Sequence, residues 1–147
     1  MYTNNVVLVG RLAQKPILKI AKGNKSYANM ILLVNKHVPD PNKIGVLHAV
    51  MLPDPIKVGC MVWGELAEQI CVYADKGALI CIEGYLEWKD YYNNYGNKID
   101  GNYVVVTKVT YLSKPYGVEE LQNKKNNYKE ILSALKLEAK ERNKKKK

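Results

Sequence analysis

The stretch Trp88-Lys-Asp-Tyr-Tyr-Asn-Asn-Tyr95 sets four rings, Trp88, Tyr91, Tyr92 and Tyr95, among polar and turn-forming residues. Rings recruited only for packing do not gather in such a tip, whereas an exposed π-face can stack on a flat ligand. Trp63 is a further ring of this kind. It closes the run Ile56–Trp63, in which Val58, Cys60 and Val62 alternate with Lys57, Gly59, Met61 and Trp63, so that one face enters a core and the other is open to a ligand. The 147 residues include 11 Tyr and 2 Trp but no Phe, a preference for rings that tolerate a wet edge. AT-rich coding bias enriches Tyr, Asn and Lys as well. The 23 Lys and Arg against 14 Asp and Glu give +9, a balance that favours a polyanionic partner, either nucleic acid or an acidic membrane surface.

Other chemistries have little to stand on. His37 and His48 have no carboxylate or cysteine at ligand spacing and read as loop or strand residues. Cys60, Cys71 and Cys81 lie about ten residues apart, without the close pairs that zinc sites use, and read as reduced, core-filling thiols of a cytosolic protein. Asp40, Asp54, Glu65, Glu68 and Asp75 are too scattered for a nuclease-like carboxylate cluster, and no phosphate loop, nucleophile elbow or HExxH motif occurs. No enzyme activity, metal, cofactor or small-molecule substrate is expected. No apolar run reaches the roughly 18–20 residues of a membrane span, and the first residues have no leader-like pattern, so neither a membrane nor export is expected.

The elements that must carry these rings read as one domain. Val6-Val-Leu-Val9 is a first strand, with Gly10 expected as a bulge. Pro16 and Gly23-Asn24 delimit a short extended piece and a turn before a second principal strand from Tyr27 to Val34, expected to be buried over most of its length from Met30. Prolines at 39, 41, 53 and 55 bracket Ile44–Leu52, one more strand or half a hairpin. Residues 56–63 are the third principal strand. The spacing of Leu66, Ala67, Ile70, Tyr73 and Ala74 predicts a helix over 65–76, with Lys76 in its last turn and Gly77 as left-handed cap. Residues 78–91 and 102–112 form two long strands joined by turn chemistry at 93–97. Beyond Pro115 the composition turns basic. Residues 119–147 hold ten basic and five acidic groups, and Tyr128, Ile131, Leu132, Leu135 and Ala139 make an apolar stripe over about 127–141, as for a helix packing on the barrel or on a second subunit.

Five principal strands with a helix between the third and fourth describe an all-β, five-stranded Greek-key OB-fold barrel (1–113) with a basic helical C-terminal extension (114–147). Five blocks add specificity: Asn5-Val-Val-Leu-Val-Gly-Arg-Leu12, Ala28-Asn-Met-Ile-Leu32, Val62-Trp-Gly-Glu-Leu-Ala-Glu68, Lys76-Gly-Ala-Leu-Ile-Cys-Ile-Glu-Gly-Tyr-Leu86 and Tyr103-Val-Val-Val-Thr107. Together, and in this order over roughly 4–112, they closely resemble the bacterial single-stranded-DNA-binding protein family. The resemblance implies sequence-tolerant binding of single-stranded DNA, usually by a homotetramer. It places Trp63 and Tyr91 at stacking positions and Lys19, Lys76 and Lys89 at backbone-contacting ones. Arg11, in the first-strand motif, is a candidate phosphate partner, and Trp88, Tyr92 and Tyr95 are further stacking candidates. Stacking is sequence-tolerant because every base has a π-face.

There are departures from the family pattern. Lys57 stands where the family has a second tryptophan, Glu87 where it has a basic residue, and the segment 37–56 is longer by about eight residues than the usual family loop. The family ends in an acidic tip, whereas this sequence closes in Lys-Glu-Arg-Asn-Lys-Lys-Lys-Lys147, so recruitment of enzymes that read such tips is not expected. Two alternatives remain at this point. One is an OB-fold paralogue serving protein assembly, as primosome components do; the other is an RNA-binding protein, since stacking does not read the 2′-hydroxyl.

Overall fold

The computed structural model describes residues 1–36, 54–92, 98–112 and 118–145. His37, His48, Tyr95, the Ile44–Leu52 segment and the turn at 93–97 lie outside the described residues. Six strands, β1 (Val6–Leu12), β2 (Ile17–Ala21), β3 (Lys25–Val34), β4 (Ile56–Trp63), β5 (Leu79–Tyr92) and β6 (Lys98–Tyr111), form one sheet in the order β1-β5-β6-β4-β3-β2. Helix α1 (Gly64–Tyr73) links β4 to β5, and α2 (Val118–Asn126) and α3 (Tyr128–Lys145) follow β6. The mostly-β architecture, the helix between β4 and β5 and the helical C-terminal end agree with the sequence reading. The short extended piece after Pro16 is β2, which pairs with β3 from Ile17↔Asn29 to Ala21↔Lys25 across a turn with Gly23 and Asn24 at positive φ.

The sheet closes on itself because β1 pairs with β5 along its length and with β3 at Arg11↔Leu33 and Leu12↔Leu32, while β4 and β6 pair in parallel at Cys60↔Val104 and Met61↔Val105. Alternating residues of every strand point inward: Leu12, Leu18, Ala28, Leu32, Val62, Ile80, Ile82 and Val104 are essentially inaccessible, and α1 plugs the core with Ala67, Ile70 and Cys71.

Several local expectations change. Gly10 is not a bulge, since the β1–β5 register runs through it unbroken; a Cβ there would collide with the Leu33 carbonyl oxygen, so the glycine serves the close approach of β3. The register shift falls instead between Glu83 and Gly84 on β5, where a Cβ would strike the Val105 carbonyl. Helix α1 stops at Tyr73, three residues before Lys76. Ala74 is fully buried in extended conformation, and Gly77, at φ +85°, shapes the turn into β5 instead of capping the helix. β3 is not buried along its length but alternates, with Asn29 and Ile31 exposed between Ala28, Met30 and Leu32, because only one face of the sheet meets the core. β6 begins at Lys98, four residues before the expected start.

The apolar stripe of the extension lies against the sheet. Ala139 is 1% exposed, Leu132 and Leu135 pack on the core, and Tyr128 stacks on Tyr73 of α1 at 5.6 Å between centroids. The Arg142 guanidinium donates to the Leu18 carbonyl and the Asn143 amide to the Ile20 carbonyl at 2.9 Å, both on edge strand β2. Lys136 pairs with Glu68 of α1 at 3.1 Å. Asp75 holds Lys15 at 3.0 Å and Lys124 of α2 at 3.3 Å; burial raises its carboxyl, but the hydrogen bond and charge of Lys15 with the charge of Lys124 outweigh this and keep it below the usual 3.8.

Two predictions follow from this packing. None of the sheet pairings involves α2 or α3, so removal of residues 119–147 is expected to leave the sheet folded, by circular dichroism, but to lower its melting temperature through lost burial at Leu132, Leu135 and Ala139; loss of the strand signal would make the extension an obligate part of the core. Burial pushes the thiols of Cys60 and Cys71 and the phenol of Tyr111 up to about 12 from 9.0, 9.0 and 10.0. These groups ionise earlier in the unfolded chain than in the folded one, so their contribution to stability is constant below pH 9 and falls as pH rises from 9 to 12. Denaturant midpoints at rising pH should show that fall, and a Cys60→Ala/Cys71→Ala variant should show less of it.

Candidate nucleic-acid interface

The outward-facing residues of the sheet fall into rows because neighbouring strands hold them in register. One row crosses three strands as Lys19, Tyr27 and Trp63; the next crosses four as Ile17, Asn29, Met61 and Val105. Trp63, 37% exposed, ends β4, and its ring lies 5.1 Å from that of Tyr27 at 32°, with Lys25 Nζ 4.8 Å from a ring centroid on the same indole. This is an aromatic pair with a cation over it, on the face away from the core.

The long hairpin arm of β5 and β6 stands beside that face, and every residue of β5 from Tyr85 to Asp90 is exposed. Between arm and sheet runs a groove of about 450 Å³, whose lining includes Lys15, Lys19, Met61, Lys89 and Tyr103. Gly59 and Gly101 lie on its floor, and a Cβ at either would meet nothing within 4 Å. The absence of side chains there leaves room for something flat. Lys89 pairs through its backbone with Gly101 and Glu87 with Tyr103.

Of the residues singled out in sequence, Lys19 and Lys89 both line this groove and Trp63 lies one row from it. Lys57 shares the outer face of β4 but sits at its far end, opposite Leu33. Trp88 is 56% exposed, pairs across to Asn102, and donates from its indole N–H to Asp90 at 2.7 Å. Tyr91 and Tyr92 extend the arm, paired through their backbones with Ile99 and Lys98. Arg11 and Lys76 are not brought to the groove. Arg11 donates to the Gly77 carbonyl at 2.9 Å and so ties β1 to the turn before β5, with exposed Lys76 beside it.

Sequence reasoning missed Tyr27, Lys25, Lys15 and Tyr103. Tyr103 was legible by alternation along its strand, whereas Lys25 precedes the expected start of β3 at Tyr27. Tyr27 needed the β3–β4 register, which no local pattern supplies.

Residues 3–112 match the single-strand binding protein family. The chain belongs to that family. A single-stranded DNA-binding protein of Halalkalibacterium halodurans is 33% identical over 109 residues, covering 74% of this chain and 60% of that protein. Single-stranded DNA-binding protein 1 of Lactococcus lactis subsp. lactis is 35% identical over 96 residues, covering 65% of this chain and 59% of that protein. Single-stranded DNA-binding protein 1 of Streptococcus pyogenes serotype M18 is 31% identical over 111 residues, covering 76% and 79%. The chain spans about three-fifths of the length of the first two of these relatives. The family match takes in the sheet and α1, whereas α2 and α3 lie outside it.

Tyr27 and Lys25 shield one side of Trp63. In a Trp88→Phe background, where Trp63 is the single indole, Tyr27→Ala is expected to raise acrylamide quenching of the remaining fluorescence; unchanged quenching would mean that the two rings do not pack in solution.

Proposed function

We propose that this protein binds single-stranded DNA without regard to sequence, coating and protecting it in replication, recombination or repair, and that it does so without catalysis. The observation that carries the reading is the groove lined by Lys19 and Lys89 beside the Trp63–Tyr27 pair, in a chain of the single-strand binding protein family. Bases stack on the rings while lysines neutralise phosphates. Stacking contributes about 1–3 kcal/mol per base and ignores sequence, and the glycine floor leaves space for a base of any kind. Trp88, Tyr91 and Tyr92, on the strand that forms the arm, and Tyr95 are further stacking candidates, and Lys57 and Lys76 are candidate phosphate contacts outside the groove. Arg11 supports the strand indirectly, by holding the turn that presents Lys76.

In this reading the closed sheet is a five-stranded Greek-key OB barrel with β2 as an added edge strand: the cyclic order β1-β3-β4-β6-β5, antiparallel except for β4 and β6, is the arrangement on which it rests. The protein acts in the cytoplasm; among the described residues no helix is long and apolar enough to cross a membrane. It assembles as a homo-oligomer, with a tetramer favoured, and the support is Val7 and Val9, which lie 54% and 48% exposed on the outer face of β1.

Addition of oligo-dT is expected to quench tryptophan fluorescence, and Trp63→Ala to weaken binding by about 1–3 kcal/mol. Lys89→Ala should act differently: removal of one phosphate contact makes the slope of log affinity against log salt shallower by about 0.7. Unquenched fluorescence with a Trp63→Ala variant that binds normally would overturn the assignment of this face.

A further inference from the structure

We propose that α3 is a second part of the strand-binding surface: phosphates of a single strand leaving the groove past Gln14 and Lys15 are taken up in the cleft between α3 and β2, on Arg142 and Lys145. This rests on the reading of the groove as a single-strand site and extends it beyond the part of the chain that matches the family, which ends at residue 112.

The groove does not stop at the loop between β1 and β2. Gln14, Lys15 and Ile17 line it, and the same three residues line a second cleft of about 350 Å³ whose other wall is α3. The two hollows are therefore neighbours around one loop, with a lysine at their junction. From α3 the cleft receives Leu135, Glu138 and Arg142, spaced three and four apart and so on one helical stripe. Lys145, three residues further on and exposed, continues that stripe.

The charge of this wall suits a phosphodiester chain. From α3, Arg142 lines the cleft across from Lys15 and Lys145 continues its stripe, against Glu138, while Lys136 of the same helix is held by Glu68 of α1. Arg142 uses one of the five N–H donors of its guanidinium on the Leu18 carbonyl, which also fixes the group at the cleft wall. Complementing the negative end of the helix dipole accounts for basic residues in the last turn. It does not require that they lie on the stripe facing the loop shared with the groove. Among the described residues of the cleft lining Glu138 is the one opposing charge, and it supplies a control of opposite sign.

The experiment compares oligo-dT of about six nucleotides, near the short end of OB-fold site sizes, with oligo-dT of about twenty-five, using the full chain. With the long oligonucleotide, Lys145→Gln is expected to lower the salt slope by about 0.7, one phosphate contact. Glu138→Gln is expected to tighten binding about threefold at low salt, the size of one exposed charge interaction. A gain cannot come from a damaged fold. With the short oligonucleotide both variants should match the wild type, and Lys125→Gln, an exposed charge on α2, serves as the control for net charge. If Lys145→Gln and Lys125→Gln are alike and Glu138→Gln gains nothing on the long strand, the cleft is not on the path and the inference fails, while quenching at Trp63 still supports the groove. If neither oligonucleotide binds the wild type, the groove reading and the inference fall together.

Discussion

The sheet closes because β1, which would otherwise be one of its open ends, pairs on both of its edges. Along Val6–Arg11 it is bonded to β5, and at Arg11 and Leu12 it also meets β3. The backbones come so near at Gly10 that no side chain fits against the Leu33 carbonyl. Around that contact the chain is tied down by main-chain bonds from Leu12 to Ala78, Gly77 to Leu12 and Ala13 to Ile31, at 3.0, 2.8 and 2.9 Å. With the sheet closed, its inner residues form a single core and its outer residues are held in fixed rows. The row containing Lys19, Tyr27 and Trp63 exists because three strands keep one register. A slip of one residue in β3 would turn Tyr27 inward and Ala28 outward.

Division of labour along each strand explains why much of this was legible in the sequence. Alternation in residues 56–63 separates Cys60 and Val62, which go inside, from Lys57, Gly59, Met61 and Trp63, which stay out, and the structure follows that pattern. The apolar stripe from Tyr128 to Ala139 likewise foretold a packed helix. The errors share one cause, which is that local pattern does not know what lies across the sheet. Gly10 resembles a bulge until the nearness of β3 is known. β3 looks wholly buried from Met30 because Ile31 and Leu33 are apolar, yet they occupy the outer rows. Helix α1 stops at Tyr73 because Ala74 is drawn into the core in extended form, which helical spacing cannot anticipate. At the site, individual rings were legible, whereas the partner of Trp63 and the hollow beside it depend on pairing between strands distant in sequence.

The lysines of the surface divide in the same way by their surroundings. Lys15 and Lys124 are engaged by Asp75, Lys108 by Glu83 and Lys136 by Glu68, while Lys25 sits over an indole. Net charge therefore overstates what a ligand meets. What distinguishes the groove is placement: Lys15, Lys19 and Lys89 along its lining, the Trp63–Tyr27 pair beside it and glycines at 59 and 101.

The bonds from Arg142 and Asn143 to the carbonyls of Leu18 and Ile20 carry a consequence for how copies of the chain can associate. β2 is the end strand of the sheet, and an open end strand is a template on which another chain can add its own, without limit. Here the Leu18 and Ile20 carbonyls on that margin are already taken by α3, which packs along β2. Growth of the sheet from molecule to molecule is closed off on that side. In the proposed homo-oligomer, contact between copies would then fall on side-chain faces such as that of Val7 and Val9, where geometry would limit the number of subunits.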